Sequence, residues 1–162
     1  MKREVSVIAL VIILSLLCGV NHAEESSIPD PWKSLKGHDS VTLAVLVEGE
    51  SKMVSLNRET LMKHVQDSLE KNGIPVGREG NVLLFFVSVH VMDSPVYAVY
   101  LVEVNVMQPA ILHQNKRFAL ADTWSVSRYG FFLPQKKTVI RDSVNQCVDE
   151  FAKDWKKAHS EN

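Results

Sequence analysis

The side chains best suited to chemistry are Ser88, His90, Glu103, Asn105 and Asp122. A histidine with a carboxylate is proton-transfer material, so His90 and Glu103 would serve a small hydrolase or transferase. The same five residues also fit the solvated end of an exposed sheet face. That plainer reading is preferred, because a one-residue slip in strand register would send every one of them to the opposite face. The other histidines, His22, His38, His64, His113 and His159, show no close ligand spacing. Without a His-x-His or a paired cysteine, a zinc site has no support. No Gly-x-Ser-x-Gly elbow and no glycine-rich phosphate loop occurs; residues 77–80 read as a turn. The sequence therefore predicts no metal and no cofactor.

A second set of residues suits binding rather than catalysis. Leu84, Phe86, Tyr97, Val99, Leu101 and Met107 alternate onto the same predicted face and are too apolar for a fully solvated surface. A large exposed apolar patch usually marks an interaction site. Tyr129, Phe131 and Phe132, in a predicted loop with Gly130, form a further patch, and Trp124 lies just before it. Trp32 is the large apolar residue of the polar stretch 24–40. It either packs on the domain, where the stretch would cover the open sheet face as a strap, or marks a partner contact.

These residues need strands and helices to position them. Residues 41–47 are apolar on both faces, as in a strand inside a sheet. Residues 57–72 read as a helix, with Asn57 as N-cap and Leu61, Val65 and Leu69 at steps of four. Residues 74–76 follow as a short strand. Residues 82–91 and 96–107 alternate strongly and form an antiparallel hairpin across Met92-Asp93-Ser94-Pro95. Residues 117–127 make the next strand, placing Phe118, Leu120, Asp122, Trp124 and Val126 on one side. Residues 128–137 read as a loop and 139–157 as a closing helix. That helix carries a stripe of Ile140, Val144, Cys147, Val148, Phe151 and Trp155. The predicted order is β-α-β-β-β-β-α: an α/β (α+β) two-layer sandwich, a mixed β-sheet with two helices on one face.

The N-terminus supplies an address. Lys2 and Arg3 precede an apolar run over 5–20 that is too short to span a bilayer comfortably. Residues 1–23 are expected to be a secretory signal peptide cut after Ala23, with an uncleaved anchor as the alternative. Lipid attachment at Cys18, as in an outer-membrane lipoprotein, is disfavoured by bulky Leu17 before it. Residues 41–158 then form one globular domain and 159–162 a tail. The 162-residue chain has 18 basic and 19 acidic residues, which gives no electrostatic reason to expect nucleic acid or an anionic membrane. Loss of Cys18 with the signal would leave Cys147 unpaired, as a buried and inert thiol.

Ala121-Asp122-Thr123-Trp124-Ser125, the pair Tyr129-Gly130, and Ile140-Arg141-Asp142-Ser143-Val144 with Phe151 resemble small secreted bacterial proteins of unassigned function. The order of elements is also similar to that of the TolB periplasmic protein's N-terminal domain. Related envelope assembly proteins, including the curli secretion lipoprotein, share that order. The resemblance supplies no catalytic residue. It implies an exported, non-enzymatic binding or assembly role in the periplasm or outside the cell. The expected partner is another envelope protein or a second copy of the chain.

Overall fold

A computed structural model describes residues 30–49, 56–77, 83–133 and 138–160. The expected signal segment, with Cys18, and the first part of the strap lie outside the described residues. A single 3-10 turn at Pro31–Leu35 leads into β1 (Thr42–Glu48), α1 (Arg58–Lys71), β2 (Leu84–Asp93), β3 (Ala98–Ile111), β4 (Phe118–Phe132) and α2 (Val139–Ser160). The sheet order is β1-β2-β3-β4, with β1 parallel to β2 and the other pairs antiparallel. The fold is the expected α+β arrangement: a four-stranded mixed sheet with two helices.

Local chemistry explains the helices. Asn57 Oδ1 accepts a hydrogen bond from the Thr60 amide at 3.0 Å and starts α1. Leu61, Val65 and Leu69 are buried. Gly73, at φ +79°, lets the chain reverse, and the Ile74 amide bonds back to the Leu69 carbonyl. Along α2, Ile140, Val144, Cys147, Val148, Phe151 and Trp155 are all buried. Phe151 is the hub, with ring centroids 4.7 Å from Phe85, 5.2 Å from Trp124 and 5.7 Å from Trp155.

Three local readings differ from the structure. Residues 74–76 contribute a single parallel bridge, Val41 to Val76, rather than a full strand. Pro75 has no N–H to donate, so a ladder cannot extend through it. Residues 128–132 are strand, not loop: β4 stays paired with β3 as far as Phe132 opposite Ala98. The alternation that marks the strand continues through Arg128, Gly130 and Phe132, and Gly130 does not break it.

The third difference concerns faces. Val106 pairs with Trp124, but Met107 pairs with Asp122, so Thr123 is an extra residue in a β-bulge. Thr123 Oγ1 donates to the Val106 carbonyl at 3.2 Å and accepts from Gln108 Nε2 at 2.7 Å, which pins the bulge. Phe118, Leu120 and Asp122 therefore share one face, while Trp124 and Val126 share the other.

The described part of the strap packs at the end of the helix-covered layer. Trp32 and Leu35 are buried, and Lys157 Nζ sits 4.4 Å from the Trp32 ring centroid on the α2 side. Ser34 Oγ donates to the Thr123 carbonyl, and Gln108 Nε2 donates to the Ser34 carbonyl at 2.9 Å. Trp32 thus belongs to the core, and residues 31–35 leave the opposite sheet face uncovered.

Candidate functional site

Strand register fixes what that opposite face carries. Glu48, His90, Leu101 and Tyr129 form one row across the sheet. Leu46, Ser88, Glu103 and Ser127 form the next; Ala44, Phe86, Asn105 and Ser125 form a third. Met92, Val99 and Phe131 extend the face at the other side of the first row. The face thus has a polar middle and an apolar, aromatic end.

The chemistry-bearing residues lie within the polar middle. Glu103 stands opposite Ser88, and His90 stands opposite Leu101, so His90 and Glu103 are diagonal neighbours on one face. Such diagonals are roughly 7–8 Å apart, a span that long side chains can bridge. His90 is instead engaged by Glu48 of β1, with Nδ1 to Oε2 at 2.9 Å. Asn105 is half-buried opposite Phe86, and Ser88 is buried. Asp122 is exposed beyond the bulge, next to Met107. The structure brings four of the five onto neighbouring positions of one surface. It gives His90 a carboxylate partner that sequence reasoning had not considered, because strand order in the sheet is not written in the chain.

The aromatic end is more distinctive. Tyr129 is 83% exposed and Phe131 is 72% exposed, although both sit in a regular strand. Tyr97, Val99, Tyr129, Gly130 and Phe131 line an apolar groove of about 650 Å³. Tyr97 and Phe131 meet edge to face with centroids 6.5 Å apart. Leu101 is half-buried and lies between His90 and Tyr129 in the adjacent row. Two other grooves lie on the helical side, the first of them mainly polar. One runs between the helices past His64, Asn145 and Asp149, the other lies beside Trp155 and His159. None of the three is lined by His90 or Glu103.

Three aromatics expected at the site point the other way. Trp124 is buried and donates its indole N–H to Asp154 Oδ2 at 2.8 Å. Phe132 is buried beside Tyr100, with centroids 6.1 Å apart, and Trp32 lies under α2. Strand alternation separates Phe131 from Phe132; reading the segment as a loop concealed it. Sequence reasoning missed a further apolar group at the tip of the β3–β4 hairpin. There Ile111, Phe118 and Leu120 are exposed, and the bulge puts Phe118 and Leu120 on the open face. Their signal was present as alternation, but the extra residue at Thr123 reversed its meaning.

Cys147 is fully buried on α2, and burial pushes its thiol up to about 11. The nearby Arg128 guanidinium, ion-paired with Glu150, opposes that rise only in part. The thiol is therefore protonated at neutral pH and a poor nucleophile. No helix among the described residues is long and apolar enough to cross a membrane.

Comparison with known proteins adds little. No family model matches the chain, and no curated protein matches it. Among solved structures, the chain is similar to a PelC variant dodecamer from Paraburkholderia phytofirmans. The identity is 10%, the TM-score 0.41, and the match covers 72% of this chain and 86% of that one. It is also similar to a minor lipoprotein from Acinetobacter baumannii, with 7% identity, TM-score 0.32, and 72% and 87% coverage.

Proposed function

We propose that this protein is an exported, non-enzymatic binding or assembly protein of the bacterial cell envelope, and that it engages its partner through the aromatic end of the open sheet face. The carrying observation is the exposure of Tyr129 and Phe131 on a regular strand beside Tyr97 and Val99. Aromatic residues held rigidly by a sheet lose little conformational entropy on binding, and aromatics are enriched at interaction hot spots. Export is supported by the sequence pattern of residues 1–23, with Lys2 and Arg3 before a short apolar run.

The test is affinity capture from envelope extracts, comparing wild type with a variant carrying Tyr129→Ala and Phe131→Ala. A protein held by wild type and lost by a folded double variant supports the reading. The same proteins held by both would overturn it.

A further inference from the structure

The open face differs from the rest of the surface in the sign of its charge. Over the whole chain, 18 basic residues nearly balance 19 acidic ones. The strand positions of the open face carry Glu48, Glu103 and Asp122 and, among the described residues, no lysine or arginine. The described basic side chains lie on the two helices, within residues 33–36 and in the β3–β4 turn, while Arg128 of β4 turns to Glu150 on the helical side. His90, the one group of the face able to gain a positive charge, is held by Glu48 at 2.9 Å. Glu103 and Asp122 have no ion-pair partner among the described residues.

The surroundings of Glu103 favour a cation. The residue is half-buried, so its carboxylate has lost part of its water without gaining a counter-charge. It stands opposite Ser127, and Tyr129 stands opposite Leu101 in the next row. Glu103 and Tyr129 are therefore diagonal neighbours on adjacent strands, roughly 7–8 Å apart. An arginine stacked on the exposed Tyr129 ring brings its guanidinium within reach of the Glu103 carboxylate. Arginine suits this better than lysine, because a planar guanidinium both stacks on an aromatic face and pairs a carboxylate through two N–H groups.

We infer that the occupant of the open face is a basic, extended segment of another protein, with an arginine on Tyr129 and Glu103 and a second cation on Asp122. The inference rests on the reading of the aromatic end as an interaction surface, and it names the chemistry of what binds there. Charge complementarity selects the occupant, since an acidic segment would meet three carboxylates and no opposing lysine or arginine. The strands set the spacing. Met107, which stands opposite Asp122, lies four residues beyond Glu103 on β3. The two carboxylates are thus about 13–14 Å apart along the strand. An extended peptide advances at the same rate and repeats its side-chain direction every second residue. Its two cations therefore stand four positions apart. An apolar side chain beyond the first cation falls on the groove of Tyr97, Val99 and Phe131.

The test is fluorescence anisotropy with the full chain, titrated to about millimolar concentration against a labelled peptide of about ten residues. The peptide is threonine and serine, with isoleucine at one end and two arginines four positions apart; in the control peptide both arginines are glutamates. The arginine peptide is expected to bind, several-fold more weakly at about 300 mM salt than at about 50 mM. The glutamate peptide is expected not to bind. Glu103→Gln and Tyr129→Ala are each expected to weaken binding about tenfold, and Asp122→Asn about threefold. Glu59→Gln, which removes a carboxylate from α1 instead, is expected to leave it unchanged. No binding of the arginine peptide, equal binding of the two peptides, or undiminished binding by Glu103→Gln would each overturn the inference. A protein captured from envelope extracts through Tyr129 and Phe131, and held equally by Glu103→Gln, defeats the basic segment and leaves the broader reading standing. A silent arginine peptide together with no capture through those aromatics defeats both.

Discussion

Phe131 meets Tyr97 edge to face, with ring centroids 6.5 Å apart and planes at 73°, on a surface that nothing among the described residues covers. Its chain neighbour Phe132 is 2% exposed on the opposite side of the same strand. The two adjacent phenylalanines should therefore behave as opposites. Phe131→Ala is expected to change stability by no more than about 0.5 kcal/mol, as for an ordinary surface site. Phe132→Ala is expected to cost about 3–5 kcal/mol, through lost burial and the cavity left behind. Urea denaturation of the two variants checks this directly.

Trp124 tests the inward assignment of a residue that composition alone would offer as a binding aromatic. Its indole N–H reaches Asp154 Oδ2 at 2.8 Å while its ring packs on Phe151. Trp124→Phe keeps most of the packing and removes the hydrogen bond to a charged acceptor. The expected loss is about 1–2 kcal/mol in the same denaturation assay, with the aromatic end still able to bind.

Two glycines separate backbone strain from collision. Gly49 has φ +91°, and a Cβ there would collide with the Val91 carbonyl oxygen. Gly37 has φ +84° with nothing within 4 Å of such a Cβ. Gly37→Ala is expected to cost about 1 kcal/mol from the left-handed backbone alone. Gly49→Ala must also push β2 away from the turn after β1, and should cost at least about 2 kcal/mol. Thermal melts of both variants measure the difference.

Cys147 sets a pH limit on stability. Burial raises its thiol to about 11 in the folded chain, from an ordinary value of 9.0. Between those values the unfolded chain releases the proton and the folded chain retains it, so ionisation favours unfolding. The contribution of Cys147 to stability is thus intact below about 9 and is lost as pH rises towards about 11. Cys147→Ala should flatten the decline over that window. At neutral pH a thiol reagent should label Cys147 only after denaturant is added.

The helices were legible because their signals are local. Asn57, the stripe of Leu61, Val65 and Leu69, and Gly73 together define α1 within one short window. The inner faces of β2 and β3 were legible for the same reason, since alternation is strict through Val87 to Val91 and Val102 to Val106. What depends on distant pairing was not legible. Thr123 reads as an ordinary strand residue until Val106 and Met107 are laid beside it, so the bulge and the faces beyond it were hidden. Glu48 could not be matched to His90 without knowing that β1 neighbours β2 in parallel. The site was legible in two separate pieces, Tyr97 and Leu101 within an apolar excess on one sheet face and Tyr129 with Phe131 as a patch in a predicted loop. Its boundary with the core was not, because Gly130 suggested a loop where the strand continues.

The central claim is that the aromatic end of the open face is an interaction surface, whoever the partner. Photo-crosslinking in living cells tests it most directly, with a benzoyl-phenylalanine placed at position 131 and, as a control on the same face at the opposite edge, at position 46. The expected result is a protein adduct from 131 and none from 46, with a mass of twice the chain if the partner is a second copy. No adduct from 131, or equal adducts from both positions, would contradict it.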